Sequence, residues 1–500
     1  MRRSEKSFRD HSRNDTVPNA TRNIHNFGRN QSFRPAAYYE PGSEQEVLEI
    51  LNQHQGQHIR AIGSLHSWSE APCGDGVVIS LKRLNTVQVH RIEPEDSATV
   101  GAGAQIKTIL HALKKHGKTL PSLGLITEQT IAGAISTGTH GSGKHSLSHY
   151  VQAVRIARYD TESGKAIIEE IDSGDDLRAA RCSLGCLGVI LTVRISIRDL
   201  YSVEEHWREY DSLDNVLCTE HEYPLQQFLL VPWKWTFLVQ HRKETPYGRS
   251  WLAWLYRMYW FLLIDLTLHL VLLFAARIVK SFAFIRLLYK RIIPPLVIRR
   301  WKVIDESSAM LVMEHELFRH IETELFVPRR HLPQALKYVR EVLCVSGGLA
   351  TGVSPDFLEQ LAQNGRAAQL DSLQGKYCHH YPICVRRVLC DDTLISMTSS
   401  ETSDPPLAET ASDWYAISLI SYASPAERQT FLQTTQFLNE TMVALFRARP
   451  HWGKLCRVPA TELSPLYLRM DTFALQCKLR DPQGVFRNRW LASVLAALPR

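Results

Sequence analysis

Apolar and polar positions repeat with two different periods between residues 36 and 200. In EQEVLEILNQH (44–54), Val47, Leu48 and Leu51 fall at helical spacing. HIRAIG then reads as a short strand entering a Gly-containing turn, and GVVISL and SATVGAGA read as buried strands. IKTILHALKKHG predicts a helix that stops at Gly117, and GVILTVRISI (188–197) predicts a further strand. This mixture points to an α+β fold rather than a bundle or a sandwich. A helical pattern returns over 333–344, and the Ser/Thr/Pro-rich stretch 397–412 predicts an exposed loop.

The pattern changes over 251–299, which is apolar and rich in aromatics. MYWFLLIDLTLHLVLLFAA (258–276) has nearly the ~20 residues that span a bilayer. Asp265 and His269 lie inside it, which is expensive in lipid. The following SFAFIRLLYKRIIPPLVIRR carries Arg286, Lys290, Arg291 and a proline pair, and makes a poor second span. A single crossing would put the two ends of the chain on opposite sides, whereas the motifs below need both ends in one site. Two expectations remain: an interfacial helix or hairpin resting on a membrane, or a cap helix packed against protein.

Five hundred residues imply two to four domains, and 44% hydrophobic with 22% charged residues is an ordinary globular composition. The net charge of +7 comes with no groove-reading motif, so no nucleic-acid partner is expected. Ten cysteines contain no CxxC pair and no zinc spacing, so no metal site is expected. The N-terminal MRRSEKSFRDHSRNDT is charged without an apolar run. It reads as part of a mobile polar tail over 1–21 and not as a secretory signal, which predicts the cytoplasm or the cytoplasmic face of a membrane.

Two segments carry candidate chemistry. IRAIGSLHSWSEAP (59–72) is a strand, a turn with Gly63 and Ser64, and then His66 and Ser67. Successive backbone N–H groups in such a turn form an anion nest suited to a pyrophosphate, with the His66 imidazole at its tip. Alone, the segment fits a surface loop with an incidental histidine better. In GLITEQTIAGAISTGTHGSGKH (124–145), Gly133, Gly138, Gly141 and Gly143 alternate with hydroxyl residues. Glycines let backbone approach phosphates, and hydroxyls add donors. The spacing fits neither a P-loop nor a dinucleotide GxGxxG.

These segments resemble the FAD domain of the vanillyl-alcohol oxidase-type flavoproteins, and within that group the sugar 1,4-lactone oxidases and alditol oxidases. IHNFGRNQSFRPAAYYEPGSEQEV (24–47), RAIGSLHSWSEAP, TIAGAISTGTHGSG and SLGCLGVILTVRISI (183–197) match in the family's order. ETELFVPRRHLPQAL (322–336), YPICVRRVLCDDTLIS (381–396), RPHWGKL (449–455) and YLRMDTFALQCKLRDPQGVFRNRWL (467–491) continue the match to the C-terminus.

The resemblance implies a two-domain FAD-binding fold: a tail (1–21), an FAD domain (22–200), an antiparallel-sheet substrate cap (201–445) and a completing segment (446–500). It implies FAD attached covalently through His66. The surrounding cofactor residues would be Ile62, Gly63, Ser64, Leu65, Ser67, Thr130, Gly133, Gly138, His140, Ser142, Gly143, Ile190 and His451. Lys454 matches the active-site lysine and Arg386 the substrate-side arginine, with His451 and Glu324 completing the catalytic set. Where relatives carry Glu two residues before that arginine, this chain has Cys384, a weak acceptor. Losing a charged hydrogen bond to a substrate hydroxyl would cost ~2–3 kcal/mol, and Glu322 or Glu324 would have to compensate.

The expected activity is oxidation of a CH–OH group in a sugar lactone or polyol, with oxygen, a quinone or a cytochrome taking the electrons. Two other readings are a membrane-associated flavoenzyme for another hydroxylated, possibly lipid-linked substrate, and a flavin-binding protein without catalysis. Retention of both His66 and Lys454 argues against the last.

Overall fold

The computed structural model describes residues 23–91, 95–313, 318–399, 413–422 and 425–496. The expected tail over 1–21 lies outside them, as do residues 400–412 of the Ser/Thr/Pro-rich stretch. The first residues of that stretch correct the expectation of an exposed loop, because Met397, Thr398 and Ser399 are buried. The physical reason is a buried guanidinium: Arg449 Nη1 donates to the carbonyls of Met397 (3.3 Å) and Ser399 (2.9 Å).

The N-terminal half is α+β. Ala37–Tyr39 (β1), Ile59–Ile62 (β2) and Val77–Ser80 (β3) form a parallel sheet in the order β1-β3-β2. Val87–His90 (β4), Ser97–Gly101 (β5), Val151–Tyr159 (β6), Ala166–Ile171 (β7) and Val189–Ser196 (β8) form an antiparallel sheet in the order β7-β6-β8-β5-β4. Helix Glu44–Gln53 starts where Ser43 Oγ accepts from the Glu46 N–H (3.2 Å) and buries Val47, Ile50 and Leu51. Helix Ile106–Lys114 buries Ile106, Ile109, Leu110 and Leu113, and Gly117 leaves it at φ +69°. The same core takes in Trp452, Tyr467, Phe473 and Phe486, so the C-terminal segment folds back onto the N-terminal half.

The second half is built on Ser202–Tyr210 (β9), Gln227–Leu230 (β10), Phe237–Thr245 (β11), Val303–Glu306 (β12), His320–Pro328 (β13), Ile383–Val388 (β14), Trp414–Tyr422 (β15) and Arg449–Pro450 (β16). They make one antiparallel sheet in the order β12-β9-β11-β10-β14-β15-β13-β16. Side chains alternate across a strand. Ile321, Leu325 and Val327 of β13 and Ile383 and Val385 of β14 join the core that includes helices Leu332–Ser346 and Pro425–Phe446. Glu322, Glu324, Cys384 and Arg386 hold the alternate positions and face the N-terminal half.

Between β11 and β12 the apolar stretch forms a helical hairpin. Its arms run over 253–279 and 282–296, and Lys280 turns the chain at φ +51°.

Gly143 marks the seam between the halves. Its N–H donates to the Arg387 carbonyl (2.7 Å), its φ is +73°, and a Cβ there would sit 1.8 Å from the Pro224 carbonyl oxygen. Gly143→Ala is expected to destabilise by ~2–4 kcal/mol through strain and clash. Urea unfolding should show a lower midpoint at unchanged slope.

Candidate active site

The turn after β2 is shaped by its neighbours. Leu65 adopts φ +58°, and its carbonyl accepts from the Phe27 N–H (2.9 Å). Asn26 Nδ2 donates to the Ser67 carbonyl and Asn30 Nδ2 to that of Trp68, both at 2.8 Å. Phe27 stacks on the His66 ring with centroids 4.9 Å apart and planes at 15°, which sets the imidazole's orientation.

The HWGK turn meets this loop from the other side. The Gly453 carbonyl accepts from the Trp68 N–H (2.8 Å) and from Ser67 Oγ (3.1 Å). Strand β16 pairs with β13, the His451 N–H donates to the Glu324 carbonyl, and the Leu455 N–H donates to the Glu322 carbonyl, both at 2.9 Å. The Gly453 N–H donates to His451 Nδ1 (2.9 Å). That bond uses the Nδ1 lone pair and so fixes the neutral ring as the Nε2–H tautomer. Burial pushes the His451 imidazole down to about 3, so it acts as a neutral hydrogen-bond donor at ordinary pH.

Two cavities meet at this turn. The first, about 910 Å³, is lined by Ile62–Ser67, Thr130, Gly133, Leu184, Ile190 and the 451–454 turn. The second, about 900 Å³, is lined by Glu322, Glu324, Arg386 and His140, by Leu125, Ile126, Met313, Phe318 and Ile420, and by Asp265, His269, His320 and Tyr381. Gln129, His451 and Lys454 line both.

The charges at the junction are paired, with both carboxylates buried and both cations half-buried. Lys454 Nζ donates to Glu322 Oε2 and lies 4.5 Å from the centroid of the Trp68 ring. Glu324 accepts from Ser418 Oγ (2.6 Å), with Arg386 Nη1 at 3.7 Å and His140 Nε2 at 3.5 Å. Burial opposes the Glu324 charge, but His140 and Lys454 outweigh it and hold the carboxyl well below its usual range. Burial likewise opposes the Arg386 charge, and Cys384, Glu324 and Glu322 around it more than compensate. Burial raises the Cys384 thiol, whose Sγ reaches Gln227 Oε1 only at 4.0 Å.

Donor atoms of His140, Glu324 and His451 lie within 4.8 Å of one another, which is also a metal-like spacing. Arg386 already supplies positive charge at that carboxylate, so the group is read as a hydrogen-bonded acid–base cluster.

The structure brings Ile62, Gly63, Ser64, Leu65, His66, Ser67, Thr130, Gly133, Ile190 and His451 to the first cavity. It brings Lys454, Arg386, Glu324, His140 and again His451 to the second. Gly138, Ser142 and Gly143 line neither: Gly138 lies against Met397, Ser142 Oγ donates to the Gln226 carbonyl, and Gly143 packs on Pro224. Glu322, which the sequence offered only as a compensation for Cys384, is the partner of Lys454. Its signal was the two-residue spacing from Glu324, which puts both carboxylates on one face of a strand. In the wall made by Asp265, His269, Phe318, His320 and Tyr381, only Asp265 and His269 had a local signal, as ionisable residues inside an apolar run.

A family model described as an FAD binding domain matches residues 35–166, and one described as D-arabinono-1,4-lactone oxidase matches residues 226–494. A long-chain alcohol oxidase from an uncultured marine euryarchaeote is 53% identical over 472 residues, covering 94% of this chain and 97% of that protein. L-Gulonolactone oxidase from Mus musculus is 24% identical over 492 residues, with coverage of 94% and 97%. The crystal structure of cholesterol oxidase from B. sterolicum has the same fold, with a TM-score of 0.71 at 15% identity over 97% of this chain and 99% of that one.

The first cavity fits FAD. Among the described residues, the N–H groups of Gly63, Ser64 and Leu65 donate to no protein acceptor, which leaves a nest open to a pyrophosphate. Gly63 keeps the approach open, since a Cβ there would fall 2.0 Å from Thr130 Oγ1. Ile62, Leu81, Leu184 and Ile190 supply apolar walls for the rings.

Four buried histidines are held neutral by burial: His241, His379 and His451 are pushed down to about 3 and His380 to about 4, from an ordinary 6.5. The unfolded chain therefore binds more protons than the folded one between pH 6.5 and about 3. Their stability contribution is complete above pH 6.5 and is lost as pH falls through that window. Thermal melts from pH 8 to pH 4 should show a Tm that is level above about 6.5 and falls steeply below it.

Proposed function

The chain belongs to the D-arabinono-1,4-lactone oxidase family of FAD-dependent oxidoreductases, and from that premise we propose that it oxidises the CH–OH group of a long-chain alcohol. The observation that carries this reading is the second cavity. Its lining combines Glu322, Glu324 and Arg386, beside Lys454 and His451, with the apolar Leu125, Ile126, Met313, Phe318 and Ile420 and with Asp265, His269, His320 and Tyr381. In this reading the charged group holds the one hydroxyl and the apolar residues take the hydrocarbon chain. The 53% identical relative bears the name of such an oxidase. Cys384 fits the same reading, because a buried thiol offers little to the further hydroxyls of a sugar.

FAD held by the first cavity, beside Ile62–Ser67, Thr130 and Ile190, would supply the hydride acceptor for the carbinol carbon. The His451 Nε2–H and the Lys454 ammonium donate to the substrate oxygen as charge builds on it. Glu324, held ionised by its surroundings, is the base that receives the hydroxyl proton, and Arg386 keeps that carboxylate in place. Glu322 orients Lys454. The product is the corresponding carbonyl compound. His66, whose ring is fixed by Phe27 at the first cavity, is the residue we assign to covalent attachment of the flavin.

A sugar lactone or polyol is the second reading. Arg386 with Glu322 and Glu324 favours it, since a guanidinium and two carboxylates can each hold a hydroxyl.

Chain-length dependence separates the two. For the long-chain reading, kcat/KM should rise up to about fourfold per methylene over the apolar stretch, from about 0.8 kcal/mol of burial each. A chain-independent rate, with an aldono-1,4-lactone turned over faster than any primary alcohol, would overturn it in favour of the sugar. Lys454→Met is expected to lower kcat about 100-fold or more at little change in KM, as loss of a donor felt mainly in the transition state. Acid precipitation should leave the yellow chromophore on the wild-type chain and release it from His66→Ala. Release from both would remove the covalent assignment alone.

A further inference from the structure

The hairpin between β11 and β12 has two unlike faces. Its inner face is protein: Leu272, Ala275 and Ile285 are buried in a cluster with Trp207 and Tyr422. Its outer face is apolar and uncovered. Trp254, Met258, Leu262, Leu270, Phe274 and Ile278 are all exposed, Ile278 to 69%. They recur at steps of four or eight residues and so define one ridge of the helix.

In a regular α-helix such a ridge winds by about 40° per four-residue step. Here residues 260–268 and 275–279 form wide turns with i→i+5 bonding. Such turns hold more residues each and therefore straighten the ridge along one side. The first arm, Ala253–Val279, is 27 residues long with a mean hydropathy of 2.1 over its most apolar stretch, and only 11% of that stretch is buried.

Charge identifies what covers this face. Between Asp265 and Asp305 the sequence has eight Lys and Arg residues and no Asp or Glu. Lys280 at the hairpin tip and Lys290 and Arg291 on the second arm are exposed. A second copy of the chain, paired symmetrically through this face, would set this basic surface against itself. An anionic lipid surface is complementary to both the ridge and the charge. The hairpin leaves from β11 and returns as β12, and both strands pair with β9. It therefore lies against the sheet, along a surface, rather than crossing a bilayer.

We propose that the outer face of this hairpin docks on the surface of a lipid bilayer containing anionic lipid, with the ridge in the acyl–headgroup boundary and the basic residues at the headgroups. The docking stands independently of the substrate. Its consequence for catalysis rests on the long-chain reading: Asp265 and His269 of the same arm line the second cavity, so one helix separates the bilayer from the site.

The test is co-sedimentation of the flavin-loaded protein, without substrate, with vesicles of phosphatidylcholine alone or mixed with phosphatidylserine. Wild type is expected to bind the mixed vesicles more tightly than the neutral ones, and raised salt should narrow the difference. The triple variant Leu262→Glu/Phe274→Glu/Ile278→Glu should weaken binding at least about tenfold, at unchanged flavin content and Tm. Lys290→Glu/Arg291→Glu should remove the preference for the anionic vesicles. Wild-type protein that sediments with neither vesicle, or a triple variant that binds as wild type does, would overturn the proposal. So would a wild-type dimer, seen by light scattering, that the triple variant converts to monomer without any vesicle binding. Failure of alcohol turnover with vesicle binding intact would overturn the substrate reading alone.

Discussion

The site depends on one peptide carbonyl. Gly453 O accepts from the backbone of Trp68 and from the hydroxyl of Ser67, while the residues on either side of Gly453 are bonded to β13. A carbonyl has two lone pairs, and here both serve to join segments nearly four hundred residues apart. The consequence is geometric. The loop that carries His66 belongs to the N-terminal half, β13 belongs to the second sheet, and the HWGK turn is hydrogen-bonded to each. Lys454 can therefore lie over Trp68 and reach Glu322 at once. Hydrogen bonds of this kind contribute about 1 kcal/mol each when satisfied. Their larger effect is to fix where the charged groups can be.

Those charges are placed by the two-residue period of the sheet. Glu324 on β13 lies opposite Ser418 on β15, which lies opposite Cys384 on β14, so the three form one row across the face. Glu324 pairs with Arg386 and Glu322 with Lys454, which leaves the row close to electrical balance. A third carboxylate at 384 would have tipped it negative within a buried site, where unpaired charge is costly. Cys384 relieves that constraint and also removes an acceptor that a many-hydroxyl substrate would use. The same substitution thus bears on stability and specificity together.

What the sequence made legible was local chemistry. The strand–turn bearing Gly63 to Ser67, the helix ended at Gly117 and the HWGK turn are each decided within a few residues of one another. The pairing of the HWGK turn with the His66 loop was implied only by the family resemblance. What stayed hidden was tertiary. Gly138, Ser142 and Gly143 look like phosphate-loop residues, yet Gly143 is small because Pro224 of the second half lies against it. The buried start of the Ser/Thr/Pro-rich stretch was hidden because its partner, Arg449, lies fifty residues further on. Glu322 was readable in principle from its spacing to Glu324, but only once β13 was known to turn that face toward the lysine.

The hairpin shows why a large apolar insertion is compatible with so constrained a site. It interrupts the chain between β11 and β12, two strands that both pair with β9 at the far edge of the sheet from β13 and β16. An insertion there leaves the register around Glu324 and the HWGK turn untouched. Glu324 on β13 lies four strands from β11 and six from β12. Among the described residues, the hairpin enters the cavity wall at Asp265 and His269. The apolar outer face thus forms apart from the Gly453 carbonyl that joins the two halves at the site.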